Sequence, residues 1–185
     1  MERSPARALI DVKPVAALDD AERAVLRALT AAVYPPGAAA ASPGRHVRWA
    51  GPEYSLLVST PEDGLVSHVG LVVRAGALDG VPVRIGGVGS VKTHPSAEGR
   101  GHASAGLRRA AEILRDEHRV AFSVLVCQAH LLPFYERLGW AAFPGRVLVD
   151  QPAGRTVFTV NRAMVLPGLA PAPSGGEIDL NGLPW

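Results

Sequence analysis

The stretch Val88-Gly89-Ser90-Val91-Lys92-Thr93-His94-Pro95-Ser96-Ala97-Glu98-Gly99-Arg100-Gly101-His102-Ala103-Ser104 decides the fold. An apolar strand ends, glycines permit a tight loop, and a helix begins. Successive backbone N–H groups at such a helix start, with the positive end of the helix dipole behind them, form a cradle for an anion. Gly99 and Gly101 let phosphate oxygens approach the main chain with no Cβ in the way, and Arg100 adds a charge-assisted contact. A glycine-rich strand-to-helix turn by itself fits a plain turn and cap as well. It is not a dinucleotide fingerprint, which needs three glycines in its own spacing, nor a Walker loop, which needs Gly-Lys-Ser/Thr.

Working outward, residues 81–93 read as the last of three antiparallel strands, after 54–59 and 65–75, with turns at 61–64 and 77–80. Upstream, residues 8–15 read as an opening strand. Asp19 and Asp20 then signal the cap of a helix over 21–33, where Leu18, Val25, Leu26, Leu29 and Val33 recur near helical spacing. Residues 34–52 form a break rich in Pro, Gly and Ala, read equally as a plain connection or as a flap over a site. Downstream, a helix runs to about His118 with Leu107, Ala110, Ala111 and Leu114 as its apolar stripe. An apolar strand follows over 120–127, then a short helix over 131–138 stopped by Gly139 and strands over 146–149 and 156–164. A helix crossing between parallel strands in 81–127 makes the sheet mixed, not doubly wound.

Composition bounds the function. The chain has 185 residues, 48% hydrophobic and 19% charged, enough for one domain with a real core. The single Cys127 excludes an internal disulfide framework and a multi-cysteine zinc site, and no metal is expected. No basic head precedes an apolar segment at the N-terminus, and the uncharged stretches are broken by proline or turn residues. A cytoplasmic protein without a membrane span is the expectation. The net charge of +2, with aromatics at only 5%, suits a phosphate-bearing small ligand better than a nucleic acid. The expected partner is a small-molecule amine, and a homodimer is compatible with the sequence.

A second stretch, His130-Leu131-Leu132-Pro133-Phe134-Tyr135-Glu136-Arg137-Leu138-Gly139-Trp140, completes the pattern. With Glu98-Gly99-Arg100-Gly101-His102-Ala103, it resembles the Gcn5-related N-acetyltransferases (GNAT family). Those proteins carry an Arg/Gln-x-x-Gly-x-Gly/Ala motif after a strand and, later, a helix ending in Phe-Tyr-x-x-x-Gly-Trp/Phe. Glu98 departs from the usual Arg/Gln, a position that contributes mainly its backbone. The resemblance implies an α/β (α+β) fold. A single domain over 1–166 would hold a mixed, mostly antiparallel twisted sheet flanked by helices, with strands splayed at the acetyl-CoA site. It implies acetyl-CoA as co-substrate, held by Ser90, Val91, Thr93, Gly99, Arg100, Gly101, His102, Ala103 and Ser104, with the pyrophosphate on the amides of 99–104. It also implies Tyr135 as the catalytic acid for the departing thiolate.

The C-terminal segment, 167–185, is Pro/Gly-rich and acidic, has no Lys or Arg, and ends in Gly176-Glu177-Ile178-Asp179-Leu180-Asn181-Gly182-Leu183-Pro184-Trp185. It resembles more narrowly the aminoglycoside 2′-N-acetyltransferase group, whose tail folds back on the acceptor site and whose terminal carboxylate helps hold a cationic drug. That likeness implies Glu177, Asp179 and Trp185 as acceptor-binding residues and antibiotic resistance as the role. The glutamate that serves as base in that group is Gly89 here, which points to a different amino sugar, such as one of the kasugamycin type. His68, Glu53, His94 and Asp150 are the substitutes the sequence offers. Acetylation of another small amine or a peptide N-terminus, and a catalytically inactive CoA-binding sensor, are the alternatives.

Overall fold

The computed structural model describes residues 8–35, 37 and 44–185; residues 36 and 38–43, part of the expected break, lie outside them. The chain opens with strand β1, Leu9–Pro14, and helix α1, Asp20–Val33. A capping box starts α1. The Glu22 amide donates to Asp19 Oδ1 at 2.8 Å and the Asp19 amide to Glu22 Oε2 at 3.0 Å, satisfying two donors the helix leaves open.

Three antiparallel strands follow: β2, Tyr54–Thr60, β3, Gly64–Leu78, and β4, Val81–Thr93. Helix α2, His102–Glu112, continues into a π turn, Ile113–Glu117, closed by the His118 amide on the Ile113 carbonyl at 3.0 Å. It crosses to β5, Phe122–Cys127, which pairs parallel to β4. Helix α3, Leu132–Glu136, ends where the Gly139 and Trp140 amides reach back to the Glu136 and Tyr135 carbonyls, a Schellman closure.

The expected strand over 156–164 is two strands. β8, Gly154–Val157, pairs with β7, Arg146–Gln151; β9, Arg162–Pro167, leaves that hairpin to pair with β5 and with β6, Ala141–Ala142. Two different partners require a break between them. The tail forms β10, Glu177–Asp179, antiparallel to the end of β3 and parallel to β7. The resulting ten-stranded sheet runs β6-β9-β5-β4-β3-β10-β7-β8, with β2 and β1 attached to the first part of β3.

Both faces of the sheet are covered at β5, which is why that strand reads as an unbroken apolar run. Strand side chains alternate between faces. Leu125 and Cys127 thus join Leu107 and Ala110 of α2 and Leu114 of the π turn on one side. Phe122 and Val124 join Ile178, Leu180 and Trp185 of the tail on the other.

Pairing of β4 with β5 stops at Gly87 and Val124, and past that point the strands separate. The wedge they leave is where the functional residues gather.

Candidate active site

One wall of the wedge is the end of β4. Its register with β3 slips between His68 and Gly70, so Ser90 and Val91 have no partner on β3. Ser90 takes the left-handed conformation, φ 51°, unusual for a residue with a side chain. Backbone N–H and C=O groups released from a ladder must find other partners.

Beyond β4, Gly101 caps α2 with φ +83°, a conformation that glycine adopts without steric cost. No side chain caps this helix, and its first internal bond is the Ala105 amide on the Gly101 carbonyl. The amides at the start of α2 therefore have no acceptor within the helix. They stand at a cavity of about 800 Å³ lined by Gly99, Gly101, His102, Ala103, Ser104 and Thr93, among others. Arg108 and Arg137 also line it. Donors at a helix start, the dipole and two guanidinium groups together suit a diphosphate.

The sequence reading missed Arg108 and Arg137. Arg108 lies four residues after Ser104, on the same helical face, so its spacing was the available signal. Arg100 does not line the cavity. Its guanidinium turns to Asp63 at 3.5 Å, because the left-handed glycines on either side carry the loop outward there. Glu98 lies in the lining as well.

A second pocket, of about 270 Å³, adjoins the first. Its lining includes Ser90, Gly89, Tyr34, Trp49, Gln128 and Asn161, and Trp185 closes it. The Trp185 indole is buried, donates to the Val124 carbonyl at 3.1 Å, and lies 5.0 Å under the Arg74 guanidinium. It packs so closely on β4 that a Cβ at Gly87 would stand 2.3 Å from its ring. Above Gly89, where the narrower resemblance implied a missing glutamate, a Cβ would meet the Trp185 main chain at 3.0 Å. The tail fills the space that side chains on these positions would need.

Val91, Leu131 and Tyr135 line both cavities. Tyr135 is held by the closure of α3 and by edge contacts with Phe134 at 5.0 Å and Trp140 at 6.4 Å between ring centroids. Burial raises its phenol above the ordinary range, so the hydroxyl stays protonated. Cys127, in the smaller pocket, is likewise pushed up by burial, to about 11, and remains a thiol rather than a nucleophilic thiolate.

Two expected acceptor-binding residues lie elsewhere. Glu177 pairs with Arg146 at 3.2 Å and Asp179 with Arg155 at 2.6 Å; neither lines either cavity. Pairing of β10 with β3 and β7 places these carboxylates beside the basic ends of β7 and β8. The four substitutes for a base are also absent from the small pocket's lining. Glu53 accepts from the Val73 amide, Asp150 pairs with Arg155, His94 accepts from the Ser96 amide, and both nitrogens of buried His68 are engaged. Among the described residues, no group of three or more His, Cys, Asp or Glu is arranged to hold a metal ion.

The family model for the acetyltransferase (GNAT) domain matches residues 20–143, more than half of the chain. The chain belongs to the GNAT acetyltransferase family. Its fold is that of a GNAT family acetyltransferase from Brucella melitensis solved with acetyl-CoA. The TM-score is 0.56 at 17% identity, over 92% of this chain and 94% of that one. It is also that of the GNAT N-acetyltransferase YhbS from Escherichia coli solved with CoA, with TM-score 0.60 and 17% identity over 97% and 93% of the two chains. An acyl-CoA N-acyltransferase from Pseudomonas aeruginosa matches with TM-score 0.57 and 17% identity, over 86% and 99%. None of the curated proteins matches the chain by sequence. As a GNAT enzyme, the protein is an N-acetyltransferase with acetyl-CoA as donor. No helix among the described residues is long and apolar enough to cross a membrane.

Proposed function

We propose that this GNAT acetyltransferase passes the acetyl group directly from acetyl-CoA in the larger cavity to a primary amine in the smaller one, within a ternary complex. The observation that carries this reading is the shared lining: Tyr135 and Val91 stand where the two cavities meet. The diphosphate rests on the amides of Gly99–Ser104 with Arg108 and Arg137 alongside. Pantetheine then follows Thr93 and Val91 along β4, which brings the thioester to Tyr135.

In the chemical step, the lone pair of the neutral amine attacks the thioester carbonyl carbon. Negative charge develops on the carbonyl oxygen, and a backbone N–H aimed at that oxygen stabilises it. The tetrahedral intermediate then collapses with cleavage of the C–S bond, and the thiolate leaves against the Tyr135 hydroxyl. A free thiol has a pKa of roughly 8.5, below that of an ordinary phenol. A phenol raised further by burial gives up its proton uphill. Tyr135 therefore donates its proton only as it receives the one lost by the new amide nitrogen, so that no buried phenolate accumulates.

For the acceptor, we infer an amino sugar. Ser90, Gln128 and Asn161 offer hydrogen-bonding partners for ring hydroxyls, and the aromatic walls Tyr34 and Trp49 offer faces for a sugar ring. No Asp or Glu side chain is among the described residues lining this pocket, which favours a compact amino sugar of the kasugamycin type over a larger polycation. The same observation favours a second reading, a small non-sugar amine. Release of CoA thiol should be followed with acetyl-CoA and a panel of kasugamycin, larger aminoglycosides, glucosamine, simple alkyl amines and a peptide with a free N-terminus. Turnover highest on kasugamycin or glucosamine supports the amino-sugar assignment. Turnover confined to alkyl amines or the peptide transfers support to the second reading, and CoA binding without any turnover leaves only a sensor.

A further inference from the structure

The buried ring of His68 is used by none of these steps, yet it touches the one irregular point of β4. It lies in β3 with only 3% of its surface exposed. Nδ1 is 2.9 Å from the Ser90 carbonyl oxygen and Nε2 is 3.0 Å from Ser55 Oγ in β2. A carbonyl only accepts, so Nδ1 must carry the proton. In a neutral ring Nε2 then accepts from the Ser55 hydroxyl. Burial, helped by the nearby Lys92 ammonium, holds the ring neutral, with a pKa of about 4. One tautomer and one orientation satisfy both contacts.

The Ser90 carbonyl lies in the same peptide unit as the Val91 N–H. In a planar trans peptide these two bonds point in opposite directions. Among the described residues, β4 has two neighbours, β3 and β5. The carbonyl turns to His68 on β3, so the N–H turns to the other side, into the wedge from which β5 has separated. Val91 lines both cavities at that place. Without the ring, this peptide belongs to a bulge with no ladder partner and a left-handed Ser90.

We propose that His68 is a positioning residue for acetyl transfer: its Nδ1–H grips the Ser90 carbonyl, and the rigid peptide thereby aims the Val91 amide at the thioester oxygen. The assignment rests on the acetyltransferase reading above. It makes His68 a part of the transition-state machinery acting through Val91, with Ser55 as its brace.

Two measurements test it. In wild-type enzyme with ¹⁵N-labelled histidine, one ring should show the neutral tautomer protonated at Nδ1 and unchanged between about pH 6 and 8; a His68 ring protonated at Nε2, or titrating in that interval, overturns the proposal. In kinetics, His68→Leu should lower kcat by roughly 10- to 100-fold, the cost of about an ångström of misplacement, while the calorimetric Kd for CoA moves less than about threefold. His68→Asn, whose side-chain N–H replaces Nδ1–H, should recover most of the loss. A folded His68→Leu enzyme with unchanged kcat overturns the proposal, as does a loss shared equally by kcat and Kd. Should His68→Leu fail to fold, Ser55→Ala removes only the brace and should lower kcat by about two- to fivefold, on the scale of one neutral hydrogen bond; no change overturns the proposal. Wild-type enzyme without transfer to any amine defeats the enzymatic reading itself, a result distinct from an active enzyme indifferent to His68.

Discussion

Substituting Gly87 by alanine should evict Trp185. The added Cβ would sit 2.3 Å from Cε2 and 2.7 Å from both Cδ2 and Nε1 of the indole, distances no relaxation of a rigid bicyclic ring can absorb in place. Eviction removes a side chain only 8% exposed, its hydrogen bond to the Val124 carbonyl and its contact with Arg74. Truncating a buried tryptophan typically costs about 3–5 kcal/mol, and leaving the Val124 carbonyl unpaired accounts for part of that. Trp185→Ala should therefore destabilise the protein by a similar amount, and Gly87→Ala should match it within about 1 kcal/mol. Because both changes remove one interaction, the double variant should cost no more than Trp185→Ala alone, a coupling of about 3 kcal/mol between the sites. Urea denaturation followed by circular dichroism, with all four proteins compared at equal slope, gives these values. Additive costs in the double variant would refute the claim that Gly87 exists to seat Trp185.

Three further outcomes follow from the site. Tyr135→Phe should lower kcat by about 100-fold, the usual contribution of a positioned acid, with little change in the calorimetric Kd for CoA; near-wild-type turnover would remove the acid role. Arg108→Ala and Arg137→Ala should each raise the KM for acetyl-CoA by about tenfold, whereas Arg100→Ala, which removes a guanidinium directed at Asp63, should change it by less than about twofold. Acid should weaken the fold through His68. Its folded pKa of about 4 lies below the ordinary 6.5, so its contribution is complete above pH 6.5 and is lost as pH falls towards 4. A difference of that size corresponds to about 3 kcal/mol, visible as a drop in denaturation midpoint across that interval that His68→Asn should flatten.

Much of the fold was legible because the decisive signals are local. The Asp19–Glu22 pair announces the start of α1, Gly139 announces the end of α3, and the apolar run of β5 reflects a strand covered on both faces. The two motifs marked the ends of the wedge for the same reason: each is a turn whose geometry its own residues dictate. Features that depend on distant partners were hidden. Nothing within residues 156–164 says that Thr156 pairs with β7 and Met164 with β5. Glu177 and Asp179 look like free carboxylates until Arg146 and Arg155 arrive from the earlier strands β7 and β8. His68 suggests a base when read alone, and only the folded register shows that both its nitrogens are committed.

The claim on which the rest depends is that the start of α2 grips the diphosphate of the donor. Isothermal titration of the protein with CoA and, in parallel, with pantetheine, which has the thiol arm but no diphosphate, tests it most directly. Saturable heat with CoA and binding weakened by at least about 100-fold with pantetheine is the expected result, since charge-assisted contacts at the α2 amides and two arginines contribute several kcal/mol. Equal binding of the two compounds, or no heat with CoA, would contradict it.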